Sequence, residues 1–169
     1  MVRRPPRSTP VPCTAPCPIE IVQGGPGDLA SVNAIMAEAF DPRYGEAWTP
    51  SQCLGMLALS GVWFVVAWVG NQPAGFAMAR TVLDEGELLL LAIRPSMRRR
   101  GIGTALLRAV LAEAGDRRAT FVHLEVRSNN EAIRLYRAEG FVKIGERRDY
   151  YRGRDGKLFD AHTFSKSIG

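Results

Sequence analysis

Cysteine is scarce in this chain. Three occur in 169 residues, at Cys13, Cys17 and Cys53, an odd number without a disulfide framework, which fits a reducing cytoplasm. No second ligand pair follows Cys13 and Cys17, and the two histidines, His123 and His162, stand far apart, so no metal is expected. Long apolar runs are missing too. The longest, Val62 to Val69 and Leu88 to Ile93, are far too short to cross a bilayer. Arg3-Arg4 is followed by no apolar region, so an export signal is not expected either. A strong charge excess is also absent: setting aside Arg3, Arg4 and Arg7 lowers a net +5 to +2. That balance is too mild to argue for direct nucleic-acid binding.

What is present is an ordinary globular composition, 46% apolar and 23% charged, in a length suited to one domain. Residues 1–18 hold six prolines (Pro5, Pro6, Pro10, Pro12, Pro16 and Pro18) and little that could pack. They predict a disordered arm, with one domain over residues 19–169.

Alternation starts a strand at Ile19 to Val22. Asp28 can cap a helix whose apolar positions Leu29, Val32, Ile35, Met36, Ala39 and Phe40 keep helical spacing. Asp41 to Gly45 breaks it, and Thr49-Pro50-Ser51-Gln52 is a capping box with proline at the first helical position. Gly70 to Pro73 joins two strands as a hairpin, and a third strand covers Leu88 to Ile93. A helix opened by glycine then runs to about Gly115, a natural stop. Thr120 to Val126 is a strand, Asn129 can cap a helix ending at Gly140, and Phe141 to Gly145 and Leu158 to Ser165 are strands around a polar loop. The order β-α-α-β-β-β-α-β-α-β-β predicts an α/β (α+β) fold, a mixed sheet with helices on both faces.

The most informative segment is Arg98-Arg99-Arg100-Gly101-Ile102-Gly103-Thr104, between a buried strand and a helix. A helix's first turn leaves N–H groups unpaired and carries partial positive charge, so an anion settles there. Glycine allows close approach of a ligand to the backbone. The segment reads as a site for a pyrophosphate-bearing cofactor rather than a solvated basic run.

Two motifs in register, Arg98-x-x-Gly101-x-Gly103 and Asn129-x-x-Ala132-x-x-Leu135-Tyr136-x-x-x-Gly140-Phe141, together with the element order, resemble the GNAT superfamily of acyl-CoA N-acyltransferases. Leu124-Glu125-Val126-Arg127 and Arg147-Arg148-x-Tyr150-Tyr151 are similar to its bacterial ribosomal-protein-alanine N-acetyltransferase group. Between Glu125 and Tyr136 the chain is one residue shorter than that group's usual pattern. The resemblance implies about seven strands and four helices, acetyl-CoA as cosubstrate, and acetylation of the N-terminal α-amino group of a protein by direct transfer in a ternary complex. It implies phosphate binding by Arg98, Arg99, Arg100, Gly101, Ile102, Gly103 and Thr104, and thioester contacts from the backbone of Leu91, Ala92 and Ile93. The strand there is expected to splay from its neighbour. Asn129 would contact the pantetheine arm.

Glu125 shares a strand face with Phe121 and His123, opposite Val122, Leu124 and Val126. It can act as a base through a water, or pair with Arg127 or a nearby lysine. His123 could serve instead, or be a half-buried histidine held by hydrogen bonds. Tyr136, about two helical turns past Asn129, can protonate the leaving thiolate or pack beside Ile133 and Phe141. Tyr44, Trp48, Tyr150 and Tyr151 could frame a peptide end, with Asp41, Glu46, Asp149 and Asp155 attracting basic residues. A small-amine acetyltransferase is the alternative, sharing every cofactor residue but needing a closed acidic pocket. A coenzyme-A- or nucleic-acid-binding module without catalysis is a third possibility. A cytoplasmic monomer or weak dimer is expected.

Overall fold

The computed structural model describes residues 17–169. The expected arm, apart from Cys17 and Pro18, lies outside them, as does Cys13. The element order is the predicted one: β1 (Ile19–Gln23), α1 (Leu29–Ala39), α2 (Pro50–Leu57), β2 (Val62–Val69), β3 (Gln72–Val82), β4 (Glu85–Ile93), α3 (Ile102–Asp116), β5 (Phe121–Arg127), α4 (Ile133–Ala138), β6 (Val142–Arg152) and β7 (Leu158–Ser167). Short 3-10 turns at Pro26–Asp28, Pro42–Tyr44 and Pro95–Met97 fill the connections.

The seven strands form one sheet in the order β1-β2-β3-β4-β5-β7-β6. Every neighbouring pair is antiparallel except β4 and β5. β4 is nearly all apolar because it is central and covered on both faces. On one face α1 and α2 bury Val32, Ile35, Met36 and Cys53 against Phe64, Val66, Phe76, Met78 and Leu90. On the other, α3 and α4 pack Ile102, Leu106, Leu107, Val110 and Tyr136 against Val65, Ala77, Val122, Leu124 and Phe164.

The parallel ladder between β4 and β5 runs only from Glu85↔Phe121 to Leu88↔Leu124. Beyond it, β5 continues on β7 alone, through Arg127↔Ala161. At the same point Leu89 is the extra residue of a bulge against β3, between the pairs Leu88↔Ala79 and Leu90↔Met78. A bulge bends and twists its strand. The sheet therefore opens into a V, leaving the β5-facing edge of Leu89 to Ile93 without a strand partner.

Several local expectations need correction. The Asp28 carboxylate makes no cap to α1; it turns back to accept from Gly25 N–H at 3.0 Å. Thr49 and Gln52 do form the reciprocal box that starts α2. α3 ends at Asp116, one residue past the expected stop at Gly115, and Arg118 then adopts φ +67° while the Arg118 and Ala119 amides bond back to Gly115 and Ala114. That is a Schellman closure with arginine in glycine's usual place. α4 begins at Ile133, and Asn130, not Asn129, holds the turn before it by accepting from Ala132 N–H at 2.9 Å. The predicted polar loop carrying Tyr150 and Tyr151 is instead part of β6. Its ladder jumps from Arg147↔Ala161 to Tyr151↔Phe159, a wide bulge with Asp149 at φ +54° and its N–H held by the Asp160 carboxylate.

Candidate active site

The V between β4 and β5 is the floor of a cleft of about 1150 Å³. One wall is the loop and first turn of α3. Gly101 sits at the helix start with φ +79°, and no side chain caps the helix there. The first-turn amides are thus open to an anion. The two glycines serve different ends. A Cβ on Gly101 would meet no atom within 4 Å, so its requirement is conformational. A Cβ on Gly103 would lie 3.1 Å from both Ile93 Cδ1 and Leu135 Cδ2, so its requirement is the close packing of α3 on β4 and α4. Arg99 also takes a left-handed conformation, φ +62°.

The opposite wall carries the ionisable groups. Glu125 on β5 pairs with Arg147 across the sheet, Oε1 to Nε 3.2 Å, rather than with Arg127. The charge of Glu125 is also the main reason that the phenol pKa of Tyr150, set by the β6 bulge, is raised. Tyr136 on α4 is 6% exposed, edge-on to Phe141 with centroids 6.0 Å apart, and lines the cleft. Burial, seconded by Tyr151 and Glu46, raises its pKa well above the ordinary phenol value. Tyr151 is pushed up to about 12, by burial first and then by Glu46 and Glu125. Both phenols therefore keep their protons at neutral pH.

The cleft is lined by Leu91, Ala92, Ile93, Arg98, Arg99, Gly101, Ile102, Gly103, Thr104, Glu125, Asn129 and Tyr136, and by Tyr44, Trp48, Tyr150 and Tyr151. Arg100 is not among these residues; its guanidinium turns to Met97 Sδ at 3.5 Å. Arg98 is tethered at the cleft, donating to Ala39 O at 2.7 Å and Ile93 O at 3.4 Å, neutral acceptors that leave its charge uncompensated. Asp149 and Asp155 also stay out of the lining, and Asp155 instead accepts from Lys157 N–H in the β6–β7 turn. His123 stacks on Phe121, centroids 6.2 Å apart. Among the described residues no group of three His, Cys, Asp or Glu side chains is arranged to hold a metal, and no helix is long and apolar enough to cross a membrane.

The family model for the acetyltransferase (GNAT) family matches residues 29–141. The chain belongs to the GNAT family. It is 36% identical over 129 residues to the N-alpha-acetyltransferase RimI of Mycobacterium tuberculosis, covering 73% of this chain and 78% of that one. To the [ribosomal protein bS18]-alanine N-acetyltransferase of Escherichia coli K12 it is 41% identical over 88 residues, covering 52% of this chain. That match spans 60% of the E. coli enzyme's length. The crystal structure of the ribosomal-protein-S18-alanine N-acetyltransferase from E. coli superposes with TM-score 0.80 and 29% identity, covering 89% of this chain and 94% of that one.

One residue of this GNAT cleft escaped the sequence reading except as a partner for Glu125. Arg127 is buried, and its Nε meets Glu46 at 3.1 Å. Its partner lies 81 residues away, so local spacing carried no signal for it. The motif Leu124-Glu125-Val126-Arg127 marked the residue but not the partners that bury it.

Proposed function

We propose that this protein is an acetyl-CoA-dependent N-acetyltransferase acting on the α-amino group of a protein N-terminus. A ribosomal protein beginning with alanine is the first acceptor to test, and the cytoplasm is the compartment this implies. The carrying observation is a single cleft in which an uncapped helix start and a carboxylate–phenol set face each other across two splayed strands. Its volume, about 1150 Å³, exceeds the range of about 300–1,000 Å³ usual for one small ligand, which suits a cofactor arm and an acceptor held together.

In this reading acetyl-CoA supplies an activated acetyl thioester. The amides from Arg99 to Thr104 hold its pyrophosphate, and Asn129 contacts the pantetheine arm. Backbone donors of Leu91, Ala92 and Ile93 stabilise charge developing on the thioester oxygen, an effect often worth about 3 kcal/mol. Glu125 takes the ammonium proton through a water, leaving a neutral amine to form the C–N bond. Tyr136 gives its proton to the departing sulfur as the C–S bond breaks, and the second nitrogen proton, lost as the amide forms, restores the phenol.

A peptide acceptor is favoured over a polyamine by the charge pairing of the cleft. A polycation needs uncompensated carboxylates, yet Asp41, Glu46 and Glu125 each carry an arginine: Arg43, Arg127 and Arg147. The remaining lining acids, Glu87 and Glu131, stand on β4 and in the turn before α4. The names of the relatives point to the same α-amino class.

The test is incubation with acetyl-CoA and peptides copying ribosomal protein N-termini, beside free lysine and polyamines. Acetylation at the peptide α-amine is expected. Turnover confined to polyamines would replace this reading with the small-amine one, and failure to take up coenzyme A would remove both.

A further inference from the structure

Among the described residues Arg127 alone of the charged residues is buried, with 6% of its surface exposed. Its guanidinium is held on every side. Nε donates to Glu46 Oε1 at 3.1 Å, and Nη1 donates to Asn129 Oδ1. One planar face lies 3.5 Å from the centroid of Tyr44, and the Phe159 ring centroid is 5.7 Å away. Those two rings meet edge-on at 5.3 Å. The partners come from three separate stretches of chain: the loop between α1 and α2, the turn after β5, and the start of β7. The β6–β7 turn joins the same assembly, since Arg154 N–H donates to Arg43 O at 3.2 Å.

A buried charge is tolerated only when paired and hydrogen-bonded, and its contacts then hold one geometry. Arginine suits the place because its fork can bond two acceptors while its faces stack on rings, which lysine cannot do. Arg127 also stands two residues from Glu125 on β5 and contacts Asn129. It thus joins the loop bearing Tyr44 and Glu46 to the strand bearing the proposed base.

We propose that Arg127 is a positioning residue that pins the loop of residues 41–47 onto the end of β5 and so fixes the acceptor end of the cleft. Tyr44, expected to contact the acceptor, is in this account chiefly one wall of the arginine's box. The kinetic consequence rests on the peptide-acceptor reading above, whereas the pinning itself does not.

The experiment compares wild type with Arg127→Gln, Glu46→Gln, the double variant and Arg127→Lys. Hydrogen exchange of the amides in residues 41–47 is expected to quicken about tenfold in either single variant, with the central amides of α3 unchanged. The double variant should be no worse than the worse single, because both break one device. In Glu46→Gln, which leaves the Arg127–Asn129 contact in place, peptide KM should rise about tenfold while kcat falls less than about threefold and acetyl-CoA KM holds within about twofold. Arg127→Lys keeps the charge but loses the stacking faces, so it should recover only part of the protection. Unchanged exchange in residues 41–47, or effects that multiply in the double variant, would overturn the proposal, as would a fall in kcat with peptide KM unmoved. Full recovery by lysine would reduce the device to a plain ion pair and overturn it as well. If Arg127→Gln fails to fold, Glu46→Gln carries the same comparison with Arg127→Lys. If wild type acetylates no peptide, the acceptor reading fails alone, and exchange still decides the pinning.

Discussion

The Tyr136 phenol is walled by Phe141 and reached from the cleft, so one side chain fills the core and faces the chemistry. Its raised pKa, caused first by burial, means that it carries a proton throughout the neutral range. Tyr136→Phe keeps the ring packing and removes only the hydroxyl. A kcat loss of about 10²–10⁴-fold is expected, with coenzyme A affinity by calorimetry unchanged. Glu125→Gln should lose rate on the same scale, and unaltered rates in both would remove the assigned proton route. These two residues were legible because each sits in a short motif with its own spacing, Leu124-Glu125-Val126-Arg127 and Leu135-Tyr136 before Gly140-Phe141. Arg127 belongs to the first of these motifs, but its role could not be read there, because its surroundings are assembled from Tyr44, Glu46 and Phe159, which only folding brings together. The partner of Glu125 was missed for a related reason. Arg147 reaches it from β6 across the intervening β7, a neighbour set by sheet order and not by local sequence.

Both ends of α3 depend on a left-handed residue, and the two respond oppositely to substitution. At the start, Gly101 adopts φ +79° at no steric cost, whereas an alanine there would cost about 1–2 kcal/mol and disturb the anion-facing turn. At the end, Arg118 already bears that strain at φ +67° on the surface. Arg118→Gly should therefore stabilise the protein by about 0.5–1 kcal/mol in urea unfolding, without changing coenzyme A affinity. Gly101→Ala should lower both stability and affinity. If both variants shifted stability the same way, backbone strain would not be the cause. Both bounds of α3 could be read from glycines, since it ends at Asp116, one residue past Gly115. The closure itself could not, because it uses an arginine whose φ is fixed by the packing of Ala114 and Ala119. The bulge that carries Tyr150 is similar. Arg148 to Tyr150 are polar or aromatic enough for a loop and pair with no residue of β7; the ladder on either side of them, at Arg147 and Tyr151, and the Asp160 carboxylate hold them within the strand.

At the scale of the molecule, a helical layer on each face buries most of the sheet, and the splay beyond Leu88↔Leu124 is where that closure is interrupted. The interruption is lined with phenols beside carboxylates, and this sets how stability depends on pH. Tyr136 and Tyr151 hold their protons more tightly folded than unfolded, Tyr151 up to about 12, with burial the first cause in each. Tyr150 shifts the same way, chiefly through Glu125, and the Cys53 thiol does so through burial. Above the ordinary phenol pKa of about 10, the unfolded chain releases protons that the folded chain keeps, so unfolding is favoured as pH rises. The stability tied to these phenols is complete below about pH 10 and is lost as pH climbs through about 12 for Tyr151, with Tyr136 extending the loss further. Urea midpoints should thus agree at pH 7 and 8, begin to fall near pH 9 as the unfolded Cys53 thiol ionises, and fall further from about pH 10 to 12. Tyr151→Phe, which cannot ionise, should make that fall shallower while leaving the packing of the ring in place. An equally steep decline in the phenylalanine variant would mean that Tyr151 meets water freely, and burial would not be the cause of its raised pKa.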